Sequence, residues 1–146
     1  MERSLGYLVA LTVGCTFAAA IFGFGAQVFA WKSAYEGDFV REQLILLTRL
    51  LVFLVLAVTL VLRGGWRGVL AAVAMVVGAT LLEWALFPLA QEWAAISSPE
   101  GYEREVSRPT YGQWATYDII GVAISAALAQ GLRIMAHVNP RAPRGG

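Results

Sequence analysis

Residues 66–90 read WRGVLAAVAMVVGATLLEWALFPLA. Beyond Arg67 the stretch carries one charge, Glu83, beside Trp84. At about 1.5 Å per helical residue the run outreaches the roughly 30 Å hydrocarbon core of a bilayer. It opens on small residues (Gly68, Ala71, Ala72, Ala74), which suit close helix packing. These features predict a membrane-spanning helix with an acid in its outer third. A carboxylate at that depth is expensive and is kept for a reason.

The whole chain is consistent with that reading. Its 146 residues are 58% hydrophobic and 14% charged, and the mean hydropathy is +0.64. A soluble domain carries about a quarter charged residues. The deficit sits in long apolar runs, so the expected fold class is all-α: a polytopic membrane protein, a four-transmembrane-helix antiparallel bundle forming one domain over residues 1–146. The formal net charge is +1 and the basic residues are scattered, which gives no nucleic-acid footprint. One cysteine, Cys15, excludes an internal disulfide. His137 is the single histidine, so one chain cannot hold a haem between two histidines. No metal spacing is present and no cofactor is expected. Of the 11 basic residues only Lys32 is lysine, and Ala, Gly and Val abound. That bias predicts a bacterial source and its cytoplasmic (inner) membrane.

Working outward, the first helix is expected over residues 5–30. Gly6, Ala10, Gly14 and Ala18 recur at every fourth position, and Thr16, Ala20, Gly23 and Gln27 form a second stripe. Two such faces predict two neighbouring helices. Arg3 before an apolar run resembles a signal peptide, and Thr12-Val13-Gly14-Cys15 faintly resembles a lipoprotein box. The run continues well past either cleavage point, so a retained first span is expected. Gly37-Asp38 marks a turn and an N-cap, which starts the second helix at 39 and carries it to 62, before Arg63-Gly64-Gly65. That helix is rich in Leu and Val, and is expected to be the most peripheral of the four. The first, third and fourth helices are expected to pack through small residues. Arg49, Phe53 and Ala57 share its inward face.

The third helix is expected over 66–90, with Pro88 kinking or ending it. An outer loop over 91–110 follows, with Pro99 and Gly101 as turn signals. Thr110 and Gln113 suggest a capping box for a fourth helix over 111–138, which Asn139-Pro140 ends. Arg3, Arg63, Arg67, Arg133, Arg141 and Arg144 stand at one side of this topology. Lys32, Arg41, Arg104 and Arg108 stand at the other, among most of the acids. Both termini and the short turn are therefore expected to be cytoplasmic.

Orientation aligns four polar residues. Gln27, Arg49, Glu83 and Asp118, one per helix, fall at a similar depth. Glu83 shares a stripe with Gly68, Ala72, Val76 and Ala79; Asp118 shares one with Ser125, Ala129 and Ala136. Both acids should face the bundle, where Arg49 can pair with one of them. The surplus acid is expected either to hold a proton or to face water. Trp84 and Tyr117, next to the acids, are candidate pocket-lining residues, although interface belts also use these residue types.

Two readings of this layer compete: an arginine clamp that fixes helix register, and a site for a proton, cation or outer ligand. No nucleophile motif surrounds Ser33 or Ser125, and Gly64-Gly65 is not part of a phosphate loop. The leading expectation is a non-enzymatic accessory or assembly subunit of a membrane complex. Its partners would be the lipid bilayer and other membrane subunits or a second copy, not nucleic acid. The alternatives are a small oligomeric proton- or cation-coupled transporter or channel, and a membrane enzyme acting on a lipid or quinone at the outer face.

Overall fold

A computed structural model describes residues 5–96 and 108–138. They form four α-helices: α1 (Leu5–Tyr35), α2 (Phe39–Gly64), α3 (Trp66–Ile96) and α4 (Arg108–Val138). Their apolar stretches Leu5–Ser33, Phe39–Gly64, Trp66–Ala90 and Ala115–Ala136 are all long enough to cross a membrane. The fold is thus an all-α bundle of four antiparallel spanning helices, with no strand among the described residues.

Local chemistry sets the turns. Asp38 caps α2 by accepting the Arg41 backbone N–H at 3.0 Å, and Gly37 beside it takes a positive φ of 77°. Gly65 alone joins α2 to α3, with φ 59°, and its N–H returns to the Val61 carbonyl at 2.8 Å. Within the spans, hydroxyls bond their own helix, as Thr12 does to the Leu8 carbonyl at 2.7 Å. Such bonds keep polar groups satisfied where lipid offers no partner.

Four expected boundaries move, the end of α2 only from 62 to Gly64. Helix α1 continues past residue 30 to Tyr35, and α4 begins at Arg108 rather than 111. Thr110 therefore lies inside α4 and does not cap it. Helix α3 passes through Pro88 and reaches Ile96. Proline at 88 removes the bond to the carbonyl four residues earlier, yet its ring faces outward and the buried face continues through Phe87 and Ala90. The turn signals Pro99 and Gly101 and the stop at Asn139-Pro140 lie outside the described residues.

The packing corrects the expected arrangement more deeply. Helices α2 and α3 each touch all three other helices, while among the described residues α1 and α4 do not touch each other. Helix α2 is therefore central rather than peripheral. Its buried stripe is Leu46, Arg49, Phe53, Ala57, Leu60 and Val61. Large side chains here fill space that small residues on α3 (Ala72, Ala79) and α4 (Ala126) leave open. A close backbone approach lies beside the turn, where a Cβ on Gly68 would overlap the Leu60 carbonyl.

The Gly6/Ala10/Gly14/Ala18 ladder of α1 faces out of the bundle. Helix α1 packs instead through Leu8, Cys15, Ala19, Ala20, Ala26 and Ala30. Near the α1–α2 turn it is braced on α3 by edge-to-face pairs, Trp31 on Phe87 at 4.9 Å and Phe24 on Trp93 at 5.6 Å.

Gly68→Ala forces α2 and α3 apart and should lower thermal stability in detergent by about 1–3 kcal/mol. Gly14→Ala, where an added Cβ meets nothing within 4 Å, should leave stability unchanged. Equal unfolding temperatures for the two variants, followed by circular dichroism, would contradict this packing.

Candidate functional site

The buried stripes of the four helices carry one strongly polar residue each at one level, towards the α1–α2 end of the bundle. Gln27 is 3% exposed, Arg49 1%, Glu83 0% and Asp118 1%. The structure brings all four together. Arg49 Nη2 donates to Glu83 Oε2 at 2.7 Å, and Arg49 Nη1 donates to Asp118 Oδ2. Gln27 Nε2 donates to the same Glu83 Oε2 at 3.0 Å. The hydrogen-bonded chain runs through α1, α3, α2 and α4 in that order, so it links α1 and α4, which make no direct contact among the described residues.

Small residues and one ring shape the site. Gly23, one turn before Gln27, opens the face of α1 towards Glu83; a Cβ there would overlap the carboxylate. Phe53, one turn after Arg49 on α2, presents its ring 4.9 Å from the guanidinium carbon. Ala79 of α3 and Val122 of α4 are fully buried, and follow or precede the acids by one turn. The stripe of α3 expected from Ala72, Val76 and Ala79 is its buried face. On α4 the buried face is Ala115, Asp118, Val122, Ala126 and Gln130, with Ser125 and Ala129 at its edge and Ala136 outside.

The arrangement is a fork between two carboxylates. A guanidinium holds its nitrogens in one rigid plane, so one arginine can reach both acids only if their carboxylates lie at fixed positions. One guanidinium meets two carboxyl groups, so the layer is charge-balanced when it holds one proton. Neither acid reaches the surface, which removes the expected option that the surplus acid faces water.

Trp84 and Tyr117 do not line this layer. They are 56% and 59% exposed. Each follows or precedes a buried acid by one residue, and one helical step of about 100° carries it off the inward face. Interface or outward packing accounts for them better than a pocket. Phe53 was visible in the sequence as sharing the Arg49 face; its role against the guanidinium is a contribution of the structure. Among the described residues no three His, Cys, Asp or Glu side chains gather in a way that could hold a metal ion.

No protein-family model, curated protein or solved structure matches the chain.

Arg49→Leu leaves two buried carboxyl groups without their cation and should cost about 3–5 kcal/mol. Arg49→Lys keeps the charge and loses the fork, and should also unfold at a clearly lower temperature than the parent. A lysine variant as stable as the parent would show that charge, not bidentate geometry, holds the layer.

Proposed function

We propose that this chain is a non-enzymatic accessory or assembly subunit of a larger membrane complex. It would sit in a bacterial cytoplasmic membrane with the α2–α3 turn on the cytoplasmic side. The observation that carries the reading is the closure of the polar layer. Both carboxylates are engaged by Arg49, and no member of the layer is more than 3% exposed. An acid–base enzyme needs a reacting atom about 3 Å from its catalytic groups, with a route for the substrate to reach them. Side chains this enclosed supply neither. A clamp needs only that they meet.

The outward ladder of α1 supports the same reading. Gly6 and Gly14 have open space where a side chain would project, and Ala10 and Ala18 are exposed beside them. In lipid, such a face gains by van der Waals contact with another helix, because tails cannot approach a backbone so evenly. Another subunit's spanning helix, or a second copy of α1, would fill it. The basic residues support that orientation: six fall in the sequence on the side of the α2–α3 turn and four on the other, Lys32 and Arg41 among them.

A second reading, proton-coupled transport by an oligomer, rests on the two-to-one ratio of carboxyl groups to guanidinium. It requires that the layer open during a transport cycle.

The two readings separate in one preparation. After mild solubilisation, the accessory-subunit reading predicts a particle larger than the protomer, and predicts that Gly14→Leu releases the protomer with an unchanged unfolding temperature. Proteoliposomes of the purified chain should carry no proton flux. A monomeric particle together with a flux that Glu83→Gln abolishes would favour transport instead.

A further inference from the structure

The opposite end of the bundle carries a different chemistry. A cavity of about 560 Å³ opens there between the start of α1, the α2–α3 turn and the last turns of α4. Tyr7, Arg63, Gly65, Arg67, Gln130 and Arg133 form its polar wall. Three guanidinium groups share this space. Among the described residues no carboxylate pairs with Arg63, Arg67 or Arg133.

The wall is built rather than merely basic. Arg63 Nη1 donates to the Tyr7 hydroxyl at 2.8 Å, which ties α2 to α1 across the cavity. Arg133 lies over the bare backbone of Gly65, where any Cβ would overlap its Nη1. The positive φ of Gly65 favours glycine there. Gln130 is 6% exposed, and its buried Oε1 has no hydrogen-bond partner. A buried amide oxygen without a donor is costly unless a ligand supplies one. Leu5 and Trp66, both largely exposed, complete the lining and give the cavity an apolar flank.

We propose that this cavity binds an anionic glycerol phosphate, one that carries free glycerol hydroxyls and no balancing cation. The phosphate oxygens meet the forks of Arg63, Arg67 and Arg133, whose planar donor pairs match a tetrahedral oxyanion. A hydroxyl of the same ligand donates to Gln130 Oε1. Three like charges held together repel, and an anion among them removes that repulsion as well as adding hydrogen bonds. The same chemistry is carried by a lipid headgroup such as phosphatidylglycerol and by a free glycerol phosphate. The apolar flank suits an acyl chain leaving the headgroup towards the bilayer.

The test uses the full chain purified in a zwitterionic detergent, with the unfolding temperature followed during titration. The probes are short-chain phosphatidylglycerol, short-chain phosphatidylcholine and glycerol 3-phosphate. Phosphatidylglycerol should raise the unfolding temperature saturably and phosphatidylcholine should not. Arg67→Ala and Arg133→Ala should each weaken the apparent affinity about tenfold or more, the loss of a charge-assisted contact. Arg67 is exposed, so its substitution leaves the bundle intact. Arg41→Ala, at the other end, should change nothing. A response to phosphatidylglycerol alone identifies the lipid headgroup as the source; an equal response to glycerol 3-phosphate identifies the free phosphate. No saturable response to either anion overturns the proposal, as does a response that persists at full strength in the Arg67→Ala/Arg133→Ala double variant.

Discussion

One guanidinium shared between two carboxylates is the constraint on which the rest of this bundle depends. Arg49 of α2 reaches Glu83 of α3 and Asp118 of α4, and Gln27 of α1 joins through the same oxygen of Glu83. Burying ions is expensive, and a buried pair seldom stabilises a fold more than a well-packed apolar substitute would. Its value here lies in specification. Helices in lipid lack the hydrophobic drive that assembles soluble bundles, and apolar faces alone permit many rotations and registers. A fork that must meet two acids permits few. Because α1 and α4 do not touch among the described residues, the layer also relays their positions through the central pair α2 and α3.

Apolar packing follows from that choice. With Arg49 turned inward, Phe53, Ala57 and Leu60 are carried inward on the same stripe, and each is fully buried. On α3, Glu83 carries Ala79, Val76 and Ala72 with it. Gly23 is the concession α1 makes so that the Glu83 carboxylate can come close. At the far end Gly68 lets α2 and α3 meet backbone to backbone beside their one-residue turn. The two ends of the molecule then differ in kind: a closed polar layer at one, in which Gln27 Oε1 has no partner among the described residues, and an open arginine-lined cavity at the other.

Much of this was legible in the residues. Four apolar runs with turn chemistry between them dictate four spanning helices, and one polar residue per run at matching depth dictates a layer. Periodicity placed Arg49 with Phe53 and Ala57, and Glu83 with Ala72, Val76 and Ala79. The arrangement of neighbours was not legible. A Leu- and Val-rich helix reads as lipid-facing, yet α2 is central because its bulk fills gaps beside alanines that lie far away in sequence. The Gly6/Ala10/Gly14/Ala18 ladder reads as a packing face, yet among the described residues it faces out of the bundle. Trp84 and Tyr117 read as pocket residues by adjacency, and adjacency on a helix means divergence. Pro88 reads as a stop, but an outward-facing proline costs α3 one hydrogen bond and not its continuation. Of the arginine cavity only the shared side of Arg63, Arg67 and Arg133 was legible, because those residues and Gln130 meet only when α4 closes on the turn.

The central claim is that Arg49 and Asp118 act as one structural unit inside a closed layer. A double-mutant cycle of Arg49→Leu and Asp118→Asn, read as thermal or denaturant stability in one detergent, tests it directly. The account predicts strong non-additivity: once Arg49 is gone, removing the Asp118 charge costs little or restores stability, with a coupling energy of about 2 kcal/mol or more. Losses that add to within about 0.5 kcal/mol would mean that the two residues do not depend on each other, and the clamp would have to be abandoned.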